Sequence, residues 1–155
     1  MLYLLGGSAL ILLGSTRNTL DVDYWGIDIP GLWTDLQRTI AEIGDELDIK
    51  IEPVPYDEMI PALPESNQRQ IHIGDYGSVQ VFVMAPYAIA LGKLDRGFPT
   101  DLADIVFLVQ RNLINLDQLD KFVQDAVPSV QDFDLAPSEM RKNLNTVRQL
   151  LKGNA

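Results

Sequence analysis

Cysteine is absent from this chain. Disulfides, thiolate metal sites and cysteine nucleophiles are therefore excluded, and the composition is compatible with a reducing, cytoplasmic setting. Histidine occurs once, as His72. A lone histidine in a segment that reads as a strand argues against a zinc site or a histidine-based triad. Long apolar runs are also missing. The stretch from Leu2 to Leu13 is interrupted by Gly6-Gly7, has no basic residue before Arg17 and is too short to cross a bilayer. It reads as a buried strand and helix, and no membrane partner is expected.

Basic residues are scarce: 12 Lys and Arg stand against 22 Asp and Glu, for a net charge of −10. The deficit is concentrated in residues 1–65, where 12 acids and 3 bases leave −9, whereas residues 66–155 carry 10 acids and 9 bases. An acidic half repels a nucleic-acid backbone, so direct nucleic-acid binding is not expected without a partner. A small substrate or a basic protein partner suits it better; the plain alternative is that acidity keeps the protein soluble. With 155 residues, 46% of them hydrophobic, the chain can bury a core as one domain.

The pattern along the chain predicts an α/β fold. Strands are expected at Tyr3–Leu5, Leu20–Trp25 and Ile49–Ile51, with a helix from Ser8 to Leu13. A second helix over 32–47 carries a stripe of Leu32, Leu36, Ile40, Ile43 and Leu47. Pro53, Pro55, Pro61 and Pro64 imply a loop with at most one helical turn, near Asp57–Ile60. Gln70–Ile73 and Val79–Met84, separated by Gly74–Gly77, read as a hairpin. Helices follow at Pro86–Arg96, Asp101–Gln110 with Thr100 as its cap, Leu116–Ala126 and Pro137–Lys152.

Against this background two acids stand out. On a strand Asp21 and Asp23 point to the same side while Val22 enters the core. Such a pair can share Mg²⁺ or Mn²⁺, because hard cations take oxygen ligands and keep part of their shell for substrate phosphates. The bland reading is an edge strand bearing solvated acids. Gly6-Gly7-Ser8, opening a helix, aims N–H groups and a hydroxyl at an anion, with Ser8 as the natural N-cap. Arg17 can meet a phosphate or pair with Asp21. Lys93 and Arg96 lie three apart on a helix; Asp101 and Asp104 can pair with them, orient them, or serve as a base for an acceptor hydroxyl. For a third metal-binding acid, Glu52 alternates away from Ile49 and Ile51, whereas Gln80 in the hairpin is a poorer ligand. Trp25 and Trp33 flank the loop after the acid pair and can stack on a base or pack in the core.

The stretch GGSALILLGSTRNTLDVD, residues 6–23, resembles the signature of minimal nucleotidyltransferases of the DNA polymerase beta superfamily. It is most similar to small bacterial proteins around the AbiEii-type abortive-infection toxins, where a Gly-Gly-Ser turn precedes an acid-hydrophobic-acid strand, often announced by Arg-x-Thr. Lys93-Leu94-Asp95-Arg96 and Asp101-Leu102-Ala103-Asp104 resemble the Lys-x-x-Arg and Asp-x-x-Asp elements that follow in such proteins. The similarity runs over roughly residues 3–110 and leaves out the C-terminal helices.

That resemblance implies a nucleotidyltransferase-like mixed β-sheet with flanking helices in residues 1–85 and a helical part in 86–155. It implies a Mg²⁺- or Mn²⁺-bound nucleoside triphosphate at Asp21 and Asp23. Gly6, Gly7, Ser8, Arg17, Lys93 and Arg96 would meet the phosphates, supported by Asp101, Asp104 and Glu52. The implied activity is transfer of a nucleotidyl group to a protein or RNA acceptor, in a toxin–antitoxin or phage-defence setting with a protein partner or antitoxin. The alternative is a catalytically inactive module of the same fold acting through a protein partner, which the acidic N-terminal half and the want of an evident third acid favour.

Overall fold

The computed structural model describes residues 1–26, 33–59, 70–126 and 135–153, the side chains of Trp33 and Ala126 aside. The chain forms two compact units, Met1–Tyr56 with Gln70–Met84, and Asp57–Arg69 with Ala85–Ala155.

Alternating apolar residues build the first unit. Its elements are β1 (Leu2–Leu4), α1 (Gly6–Leu12), β2 (Asp21–Gly26), α2 (Trp33–Leu47) and β3 (Lys50–Pro53), with the single turn α3 (Tyr56–Met59) at its boundary, then β4 (Ile71–Tyr76) and β5 (Val79–Val83). The five strands lie in the order β3-β2-β1-β5-β4. β1 runs antiparallel to β2 and parallel to β5, and β2 runs parallel to β3, so the sheet is mixed, as the alternation of elements predicts. Period two divides its faces. Tyr24 and Val83 are buried on one of them, and Ala9 and Leu10 of α1 are also fully enclosed.

Helix α2 meets β3 at Gly44, where a Cβ would lie 2.8 Å from the Ile49 carbonyl oxygen. Ile43 and Leu47, at the end of the expected stripe, are exposed. Leu32, Pro61 and Pro64 lie outside the described residues. The hairpin differs from expectation in its turn. The segment Gly74–Tyr76 belongs to β4, a bulge between His72 and Gly74 absorbs the irregularity, and Gly77-Ser78 alone links the strands. Gly77 sits at φ +64°, the first central position of a two-residue turn, which favours glycine.

The second unit contains α4 (Pro86–Arg96), α5 (Pro99–Gln110), α6 (Leu116–Ala126) and α7 (Pro137–Gly153). Leu91, Leu94, Ile105, Leu108, Leu119, Met140 and Leu144 are buried among them. Asn115 caps α6, its Oδ1 accepting from the N–H groups of Asp117 and Gln118 at 2.9 and 3.0 Å. Thr100 does not cap α5. That helix starts at Pro99, which suits a first helical position, so Phe98 takes the cap without a side-chain bond.

Ionic side chains lie inside this helical unit. Lys93 is 4% exposed, and its Nζ lies 3.1 Å from Asp101 Oδ1 and 2.7 Å from Asp104 Oδ2. Arg96 Nη2 donates to the same Asp101 oxygen at 2.6 Å. Burial raises the Asp101 carboxyl, but Arg96 and Lys93 outweigh it and hold the group below its ordinary 3.8. Removing one member strands the rest. Lys93→Ala is expected to cost about 3–5 kcal/mol in urea unfolding, the usual penalty for breaking a buried pair. Because the folded Asp101 carboxyl is depressed, its contribution is complete above the unfolded value and disappears as pH falls below about 4 through the folded one. Unfolding of the wild type across that range should lose stability more steeply than that of Asp101→Asn.

Candidate active site

The register of two parallel strands assembles the acids. β2 and β3 pair Asp21 with Lys50 and Asp23 with Glu52. Asp21, Asp23 and Glu52 each present a carboxylate oxygen within 4.8 Å of the other two. Oxygens sharing one Mg²⁺ at about 2.1 Å are about 3–4 Å apart, so small side-chain rotations suffice for all three to bind one ion. The all-oxygen, half-buried donor set suits Mg²⁺ or Mn²⁺. Glu52, the candidate third acid, thus joins the pair. Gln80 lies on β5, separated from β2 by β1, and pairs in register with Asp75.

The glycine turn packs directly on this cluster. The Leu5 N–H donates to the Asp23 carbonyl at 3.0 Å, which fixes the end of β1 against β2. Gly6 sits at φ +59°, and a Cβ there would run into the Asp23 carboxylate. A Cβ on Gly7 would lie 2.5 Å from Thr19 Oγ1 and 3.3 Å from the Arg17 guanidinium carbon. Thr19 in turn donates to Asp21 Oδ1 at 3.0 Å. Gly6-Gly7 and the segment from Arg17 to Asp23 are therefore two halves of one structure. Ser8 is not the N-cap: the chain turns at Gly6, so α1 begins earlier and Leu5 is the cap. The Ser8 hydroxyl donates instead to the Leu5 carbonyl at 3.0 Å. Arg17 Nε donates to the Asn18 carbonyl at 3.2 Å.

Lys50 is a member of the site that the sequence reading passed over, although its position two residues before Glu52 on a strand was a usable signal. Its Nζ lies 2.9 Å from Glu52 Oε1. The hydrogen bond and charge of Glu52 push the Lys50 ammonium upward in pKa, with Asp21 and Asp23 adding to it. Farther along the same face as the acid pair, Trp25 packs against Tyr3 and Tyr56, with ring centroids 5.3 and 5.5 Å apart. Burial raises the Tyr56 hydroxyl to about 12. The Trp33 side chain lies outside the described residues. His72 is an exposed strand residue with Nε2 3.1 Å from Asp75 Oδ1. Lys93, Arg96, Asp101 and Asp104 are joined to one another within the helical unit.

A mixed sheet with three converging acids beside a glycine turn is an arrangement suited to nucleotidyl transfer. The comparison with known families agrees: a family model described as "nucleotidyltransferase of unknown function (DUF6036)" matches residues 2–147, and the chain belongs to that family. No curated protein and no solved structure matches it. Among the described residues, no helix is long and apolar enough to cross a membrane.

The glycine turn yields a direct test. Gly6→Ala should lose about 2 kcal/mol or more in urea unfolding, because a side chain there meets both a left-handed backbone and the Asp23 carboxylate. Asp23→Ala removes the second obstacle but not the first. The double variant should therefore be more stable than additivity requires, by about 1 kcal/mol.

Proposed function

We propose that this protein is a divalent-metal-dependent nucleotidyltransferase that takes a nucleoside triphosphate and transfers its nucleotidyl group to an acceptor. The observation that carries this reading is the convergence of Asp21, Asp23 and Glu52 on one sheet face beside Gly6 and Gly7. The three carboxylates would hold Mg²⁺ or Mn²⁺, which when bound neutralises phosphate charge in the transition state. Resemblance assigns Gly6, Gly7, Ser8, Arg17, Lys93 and Arg96 to the phosphates, and for the two glycines their packing on Asp23 and Thr19 supports this. In the reaction an acceptor hydroxyl oxygen bonds to the α-phosphorus and the bond to the β-phosphate side breaks. Pyrophosphate leaves, and the hydroxyl proton passes to a carboxylate of the cluster.

The acidic N-terminal half, at −9 over residues 1–65, favours a protein hydroxyl over RNA as the acceptor. By resemblance to the AbiEii-type toxins, the setting is a toxin–antitoxin or phage-defence pair. The catalytically inactive module is the competing reading; the same acidity favours it, but Glu52 removes its other support.

Carboxylates that repel one another when empty gain stability from a bound cation. Mg²⁺ or Mn²⁺ is therefore expected to raise the melting temperature of the wild type and leave Asp21→Asn/Asp23→Asn unmoved. Calorimetry with ATP, GTP, CTP and UTP in Mg²⁺ should then show binding of at least one nucleotide, which the double variant loses. A wild type that binds none of them would leave the inactive module standing.

A further inference from the structure

Strands β2 and β3 carry a two-by-two lattice of charge. Asp21 stands beside Lys50 and Asp23 beside Glu52, and period two turns all four side chains to one face. The Lys50 ammonium lies 2.9 Å from Glu52 Oε1, and Glu52 is also one of the three acids whose oxygens converge within 4.8 Å. A divalent ion and the ammonium thus draw on the same carboxylate. The Lys50 side chain is 65% exposed, on a flexible four-carbon stem that can swing away.

We infer that Lys50 is a resident counter-cation of the acid cluster, holding Glu52 when no metal is bound and competing with the incoming divalent ion for it. The inference rests on the nucleotidyltransferase reading only in taking the cluster as a metal site. Lys50 then has two opposed effects. It relieves repulsion among three like charges in the metal-free protein, and it weakens metal binding. A lysine that merely braced the strands would do the first and not the second.

The test is Mn²⁺ binding by the full chain, followed by electron paramagnetic resonance at low ionic strength without nucleotide. Lys50→Met, which keeps the stem and removes the charge, should bind Mn²⁺ about five- to tenfold more tightly than wild type, while its metal-free form melts lower. The gain should shrink as salt is added. Lys50→Arg should keep the wild-type affinity, and in a Glu52→Gln background Lys50→Met should gain far less. Equal or weaker Mn²⁺ binding by a folded Lys50→Met, with the wild type binding normally, overturns the role of Lys50 and leaves the metal site intact. If neither protein binds Mn²⁺, the metal site and this inference fall together.

Discussion

Asp21, Asp23 and Glu52 repel one another, and the pairing of β2 with β3 holds them close despite that. Two like charges about 4 Å apart cost about 1 kcal/mol in water and about 4 kcal/mol at a typical protein surface. Side chains with freedom would separate. Here the acids are fixed by backbone: β2 and β3 share a parallel register, and Asp21 and Asp23 are neighbours on one face of one strand. Lys50 and Thr19 offset part of the cost, one by charge at Glu52 and one by a hydrogen bond to Asp21. A protein keeps such a cluster at the expense of stability, which is the pattern of functional sites.

The same constraint explains the glycines. The carboxylate of Asp23 occupies the space where a side chain on Gly6 would begin, and Thr19 and Arg17 crowd Gly7. Glycine therefore does two things at this turn: it permits the left-handed backbone, and it lets the start of α1 close directly onto the acids.

The second ionic group is built on opposite principles. Lys93, Arg96, Asp101 and Asp104 balance their charges within the helical unit, and Lys93 and both aspartates are buried. Such a network contributes through the cost of breaking it more than through its formation. The acid cluster on the sheet is half-buried and gathers three carboxylates, with the Lys50 ammonium at Glu52. Like residue types are thus paired off in one unit and gathered with like charge in the other.

Local rules made much of this legible. Period two placed Asp21 and Asp23 on one face, proline and glycine marked most helix ends, and apolar spacing yielded the strands of the sheet and the helices of the second unit. Local rules also misjudged two helix starts: Ser8 and Thr100 look like caps, yet Gly6 and Pro99 begin their helices earlier. Alternation with Ile49 and Ile51 made Glu52 a candidate third acid, but could not place it beside the pair. Glu52 lies 29 residues after Asp23, and only the pairing of β2 with β3 brings the two together. Register is set by the summed packing and hydrogen bonding of whole strands, so no short window of sequence contains it. For the same reason the sequence alone determined that two acids face one way. Only the tertiary structure decided that a third acid joins them, that Lys50 neutralises it, and that Lys93 is enclosed between two carboxylates.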